Sequence, residues 1–186
     1  MRLHIPDPAL VLLVGPSGAG KSTFATARFT PTEIISSDAL RGMLADDPAD
    51  QAASAEAFRI VGILANGRLK RRLLTVIDAT NLRAANRRRF RQLAARYGIA
   101  TVAIAFDLPA GLFALHNQRR PDRVVDTEVL ADQTERMREA MTDIRAEDYA
   151  GLFVINDTTT LDEAVIERAG SSGQGATTKS QADERS

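Results

Sequence analysis

Eight consecutive residues, Gly15-Pro16-Ser17-Gly18-Ala19-Gly20-Lys21-Ser22, join backbone freedom, one cation and one hydroxyl in a spacing that suits phosphate. They fit G-x-x-x-x-G-K-[ST], the loop that wraps the phosphates of a nucleoside triphosphate. In such a loop successive backbone N–H groups form an anion-binding nest, and the helix that follows adds positive dipole. Lys21 offers a point charge to the transferring phosphate and Ser22 a hydroxyl to Mg²⁺, with Thr23 continuing the segment into the helix. The flanking elements agree with this. The apolar, β-branched run Ala9–Val14 leads in as a buried parallel strand, and residues 23–28 lead out without Gly or Pro. The loop identifies a phosphate donor and leaves the acceptor open.

Two carboxylates stand where strands should end beside that loop. Ile34-Ile35-Ser36-Ser37 runs into Asp38, with Arg41 one helical turn later. A carboxylate there can accept a hydroxyl proton as the hydroxyl attacks a γ-phosphate, and Arg41 on the same face can hold an anion of the acceptor. The plainer alternative is that Asp38 caps the helix over 39–45 and Arg41 is solvated. Leu74-Thr75-Val76-Ile77 ends in Asp78-Ala79-Thr80-Asn81. Asp78 is the second carboxylate, for Mg²⁺ or its waters. Thr80 and Asn81 offer polar groups toward an acceptor, and Asn81 could equally cap the next helix.

Arginines supply nearly all the positive charge, since the lysines are Lys21, Lys70 and Lys179 alone. Arg83, Arg87, Arg88, Arg89 and Arg91 cover most of one helix circumference, so most of them are expected in solvent. The run His116-Asn117-Gln118-Arg119-Arg120-Pro121-Asp122-Arg123 lies between two helical stretches and reads as a lid. Lid arginines close over a donor and neutralise transition-state charge, with Arg120 and Arg123 as candidates. An exposed basic loop is the alternative.

These residues need a scaffold that brings strand ends together. Strand-like runs recur at Leu10–Val14, Glu33–Ser36, Leu73–Asp78, Ala100–Phe106 and Leu152–Ile155. Helical stretches lie at Lys21–Phe29, Asp38–Ala45, Gln51–Arg72, Arg83–Tyr97, Pro109–Gln118, Asp126–Glu147 and Leu161–Arg168. The alternation predicts an α/β fold: a P-loop NTPase-type parallel sheet of about five strands, helices on both faces and a helical lid. Right-handed crossovers then line all strand ends along one edge. One domain is expected over 1–169, with the lid at about 116–126 and a disordered tail over 170–186.

The 186 residues carry 24 Lys+Arg against 24 Asp+Glu, so the protein as a whole is no polyanion sponge. Absence of Cys excludes disulfides and thiolate metal sites. No apolar run reaches the ~20 residues of a membrane span, and residues 1–6 lack a secretory pattern. The expected location is the cytoplasm, with no membrane partner.

With these motifs together, the chain resembles the 5′-kinase module of bacterial RNA-repair polynucleotide kinase-phosphatases, from about Leu10 to Asn156. The likeness rests on the loop with Ser22-Thr23-Phe24-Ala25, on Ser36-Ser37-Asp38-x-x-Arg41, and on Asp46-Asp47. It continues through Val76-Ile77-Asp78-Ala79-Thr80-Asn81, Phe106-x-Leu108-Pro109 and Asn117…Arg120…Arg123. The resemblance implies ATP and Mg²⁺ at Lys21 and Ser22, Asp38 as general base toward a terminal 5′-hydroxyl of RNA or DNA, and Arg41 on the nearest phosphate. Arg120 and Arg123 fall to the lid. The family's lid begins Arg-Asn where this chain has His116-Asn117, and a neutral His cannot make a forked phosphate contact. Two other functions fit the loop: a kinase of a small hydroxylated metabolite or nucleotide, and a regulatory ATP-binding module. The second has no use for an acceptor base.

Overall fold

The computed structural model describes residues 1–109 and 127–170. Among these described residues seven strands and six α-helices follow in chain order: β1 Arg2–Asp7, β2 Ala9–Val14, α1 Lys21–Arg28, β3 Ile34–Ser36, α2 Ser37–Ala45, α3 Ser54–Lys70, β4 Thr75–Asp78, α4 Ala84–Ala95, β5 Ala100–Phe106, α5 Thr127–Ala146, β6 Gly151–Ile155, α6 Thr158–Glu163 and β7 Val165–Gly170. Five strands form a wholly parallel sheet in the order β3-β4-β2-β5-β6. The sheet and its flanking helices match the expected fold. The helix expected over 109–118 and the lid over 116–126 lie almost wholly outside the described residues, as do 171–186.

β2 is buried along its whole length, and its alternation explains the layers. Leu10, Leu12 and Val14 face a core shared with α3, α4 and α5, through residues such as Ala65, Leu69, Phe90 and Met137. Ala9, Val11 and Leu13 face a second core with Phe24, Ala25 and Phe29 of the α1 region and Leu3 and Ile5 of β1. Burying large side chains on both faces contributes roughly 1.5–3 kcal/mol apiece, which makes β2 the anchor of the sheet. It also sits between β4 and β5, so the connections diverge at its carboxyl end. That divergence opens a crevice at the strand ends, the place where α/β sheets bind ligands.

One sequence expectation fails here. A helix was expected over Leu161–Arg168, but the helix stops at Glu163 and β7 begins at Val165. Ala164 is extended (φ −62°, ψ 131°), and β7 pairs in parallel with β1 from Arg2↔Val165 to Asp7↔Gly170. The partner strand lies at the other end of the chain, so a non-local ladder overrides a locally helical pattern. β1, also unforeseen, exists for the same reason.

Candidate functional site

The phosphate loop hangs from the carboxyl end of β2 and closes on α1. Gly15 has no room for a side chain: a Cβ there would lie 3.0 Å from Phe106 Cβ and 3.2 Å from the Phe106 carbonyl oxygen. Gly20, the residue before α1, holds φ +83°, a left-handed conformation that L side chains resist. The Gly15 N–H donates to Thr80 O at 2.9 Å, tying the loop to the exit of β4. Lys21 is buried and folds back, its Nζ donating to Pro16 O at 2.6 Å. A narrow cavity of about 20 Å³ remains between Ser17, Gly18, Lys21, Ser22, Asp38, Asp78, Ala79 and Thr80.

Asp78 ends β4 and is buried beside that cavity. The Ser22 hydroxyl and the Asp78 carboxylate are hard oxygen donors, the type magnesium takes together with phosphate oxygens and water. The two residues fit that ion, and among the described residues no cluster of three or more His, Asp or Glu offers an all-protein metal cage.

Asp38 is not the helix cap. Ser36 takes that place, its side chain accepting the Ala39 N–H, which leaves the Asp38 carboxylate in the first turn of α2. Arg41 is not solvated either. It is buried, pairs with Asp38 through Nη2, and donates from Nε to Pro48 O at 2.9 Å. Burial lowers the pKa of the Arg41 guanidinium, while Asp50 and Asp47 counter that loss. The pair opens onto a second, polar cleft of about 430 Å³ whose walls come from α2, α3, α4 and α5. Ser17, Asp38 and Thr80 line this cleft and the phosphate cavity both.

Thr80 thus reaches the cleft, as its place after β4 predicts. Asn81 does not. It is fully buried at φ +48°, and its Nδ2 donates to Leu13 O at 2.8 Å beneath the loop. Neither does it cap α4, where Arg83 stands at the N-cap without a side-chain bond. Of the arginines on α4, Arg83 borders the cleft and Arg87 is buried against Glu147. Arg120, Arg123 and His116 lie outside the described residues.

Sequence reasoning missed the far wall of the cleft: Gln51, Ser54 and Phe58 from the α3 region, Asn86 of α4, and Asp132, Gln133 and Arg136 of α5. One signal pointed at Gln133. Met137, Ala140 and Ile144 make the buried stripe of α5, and position 133 continues it with a polar side chain. A larger cavity of about 580 Å³ adjoins the loop at Gly20 and Thr23, between α1, α6 and β7.

Residues 10–144 match the family model described as an AAA domain. The chain belongs to this P-loop family. Its fold is that of P-loop kinases, which implies nucleotide binding. The Pnkp1/Rnl/Hen1 RNA repair complex contains a chain similar in structure, with TM-score 0.64, 22% identity, and coverage of 78% of this chain and 48% of that one. AvrRxo1-ORF1:-ORF2 with ATP gives TM-score 0.62, 16% identity, 82% of this chain and 55% of the other. A gluconokinase from Sinorhizobium meliloti 1021 gives TM-score 0.54, 21% identity, 86% of this chain and 88% of the other. This chain therefore spans about half the length of the first two. No curated protein sequence matches it. No helix among the described residues is long and apolar enough to cross a membrane.

Proposed function

We propose that the protein is an ATP-dependent polynucleotide 5′-hydroxyl kinase, acting on ends of RNA or DNA. The observation that carries this reading is Asp38, a carboxylate lining both the phosphate cavity and the cleft beyond it and steadied by Arg41. A regulatory ATPase has no need of a carboxylate at that seam. The nucleic-acid acceptor itself is supported by the sequence resemblance and by likeness to a chain of an RNA repair complex.

In this mechanism Lys21 leaves Pro16 O and meets the donor's phosphates, together with the loop amides. Ser22 and Asp78 would hold Mg²⁺, which when bound neutralises charge on the phosphate oxygens. The acceptor 5′-hydroxyl gives its proton to the Asp38 carboxylate as its oxygen attacks the γ-phosphorus, and the bond to the β–γ bridging oxygen breaks, leaving ADP. Arg41, whose Nε and Nη2 hold Pro48 O and Asp38, lines the cleft and meets the acceptor's nearest phosphate from there. Thr80 adds a hydroxyl at the same wall. By the resemblance alone, Arg120 and Arg123 bring charge to the donor side.

The four-helix wall of the cleft favours a second reading, a kinase of a small hydroxylated compound, since 430 Å³ is within the common range of small-molecule pockets. One experiment separates the two. The protein is incubated with γ-labelled ATP and a 5′-OH oligonucleotide, with Asp38→Ala and Lys21→Ala in parallel. The expected result is label on the 5′ end, reduced on the order of a hundredfold or more by Asp38→Ala and comparably by Lys21→Ala. Label on added small polyols or nucleosides and none on the oligonucleotide establishes the second reading instead.

A further inference from the structure

One contact in the site serves neither reading as it stands. The Ser17 N–H, third in the phosphate loop, donates to Gln133 Oε1 at 2.6 Å across 116 positions of sequence. The accepting atom must be the carboxamide oxygen, because a backbone N–H can only donate. Gln133 lies on the core-facing stripe of α5, one turn before buried Met137, so the helix is already turned toward the sheet. Its neighbours Asp132 and Arg136, joined by a 2.6 Å ion pair, line the acceptor cleft. Gln133 thus ties the loop that holds the donor to the wall that bounds the acceptor.

We infer that Gln133 is the residue that registers the acceptor wall against the phosphate loop, so that a bound hydroxyl, and not water, meets the γ-phosphate. The inference rests on the phosphoryl-transfer reading and adds the device that links its two halves. Ser17 belongs to both cavities, so the bond lies at the seam where donor and acceptor must meet. A side chain that fixes α5 at that seam sets the distance between the attacking oxygen and phosphorus. Position errors of this kind are expensive in rate. Gln133 acts here as a positioning residue, since no proton or bond passes through it.

The test compares wild type with Gln133→Met, which keeps the length and packing but accepts no such bond, and with Gln133→Ala. Acceptor KM is expected to rise about tenfold, the size of one lost hydrogen bond, with a smaller change in donor KM. The ratio of ATP hydrolysis to transfer should rise by a similar factor. A purely structural role would not move that ratio. In parallel, the Ser17 amide is followed by ¹⁵N–¹H spectra, where Gln133→Met should shift its resonance and speed its exchange. The inference is overturned if Gln133→Met leaves the KM values, the ratio and the Ser17 amide at wild-type levels, or lowers hydrolysis and transfer equally. A wild type that labels no acceptor sinks the functional reading instead, and the Ser17 amide then still decides whether the bond exists.

Discussion

Asn81 shows how a residue chosen for chemistry can belong to architecture. Its type and its place after β4 suit an acceptor contact, yet its side chain lies fully buried under the loop and donates to Leu13 O. The left-handed backbone at φ +48° is one that Asn tolerates better than most residues. Its Oδ1 is buried and has no hydrogen-bond partner among the described residues, a cost the bond to the β2 carbonyl has to offset. Asn81→Ala should therefore destabilise the fold by about 1–3 kcal/mol, read as a lowered urea midpoint. Sequence could locate this residue beside the loop but not its depth, because one polar side chain after a strand looks alike whether it points into a cleft or under it. Asp38 and Arg41 were legible for the opposite reason: their spacing alone sets both on one helical face.

At the level of elements, the main sheet was readable because its central strands β2, β4 and β5 are largely apolar runs buried on both faces, and the partly buried edge strands β3 and β6 are short apolar runs beside them. β1 and β7 were not. Residues 165–168 read as a continuation of a helix, and the distant β1 makes them part of a strand. The arginines of α4 carry a similar lesson. Charge on a helix suggests solvent, but Arg87 is fully buried, donating to both Glu147 oxygens from Nε and to Asn81 O and Leu82 O from Nη1. One side chain thus pins α4 to the exit of β4 and to the end of α5. Arg87→Met is expected to lose about 3–5 kcal/mol, since it removes the buried cation bonded to Glu147 and leaves that carboxylate to Tyr149 and the more distant Arg91. Adding Glu147→Leu should restore part of that loss in the same denaturant titration. The wall formed by α3 and α5 stayed hidden because its residues share no local motif; only packing gathers them around one cleft.

At the scale of the whole molecule, Glu147 and Glu33 are the partly buried carboxylates among the described residues whose titration differs between folded and unfolded chains, while that of Asp132 and Asp157 shifts the same way at the surface. Burial pushes Glu147 upward, but hydrogen bonds from Arg87 and Tyr149 outweigh it and hold the carboxyl below its ordinary range. For Glu33 burial acts likewise and is outweighed by Arg168 and Thr30. A folded pKa below the unfolded one means stability that is complete above about pH 4.3 and lost as pH falls through the lowered values. Melting temperature should hold from pH 7 to about pH 5 and then fall, with a shallower fall in Glu33→Gln/Glu147→Gln across the same buffers. The β1–β7 ladder has a further consequence, for synthesis. Arg28, at the far end of the helix that the phosphate loop opens, donates to the carbonyls of Leu161, Asp162 and Ala164, just before β7. A chain emerging from the ribosome makes the phosphate loop well before the support for its helix. Until about residue 170 is free to pair with β1, the helix that the phosphate loop opens lacks the carbonyls that anchor Arg28 at its far end.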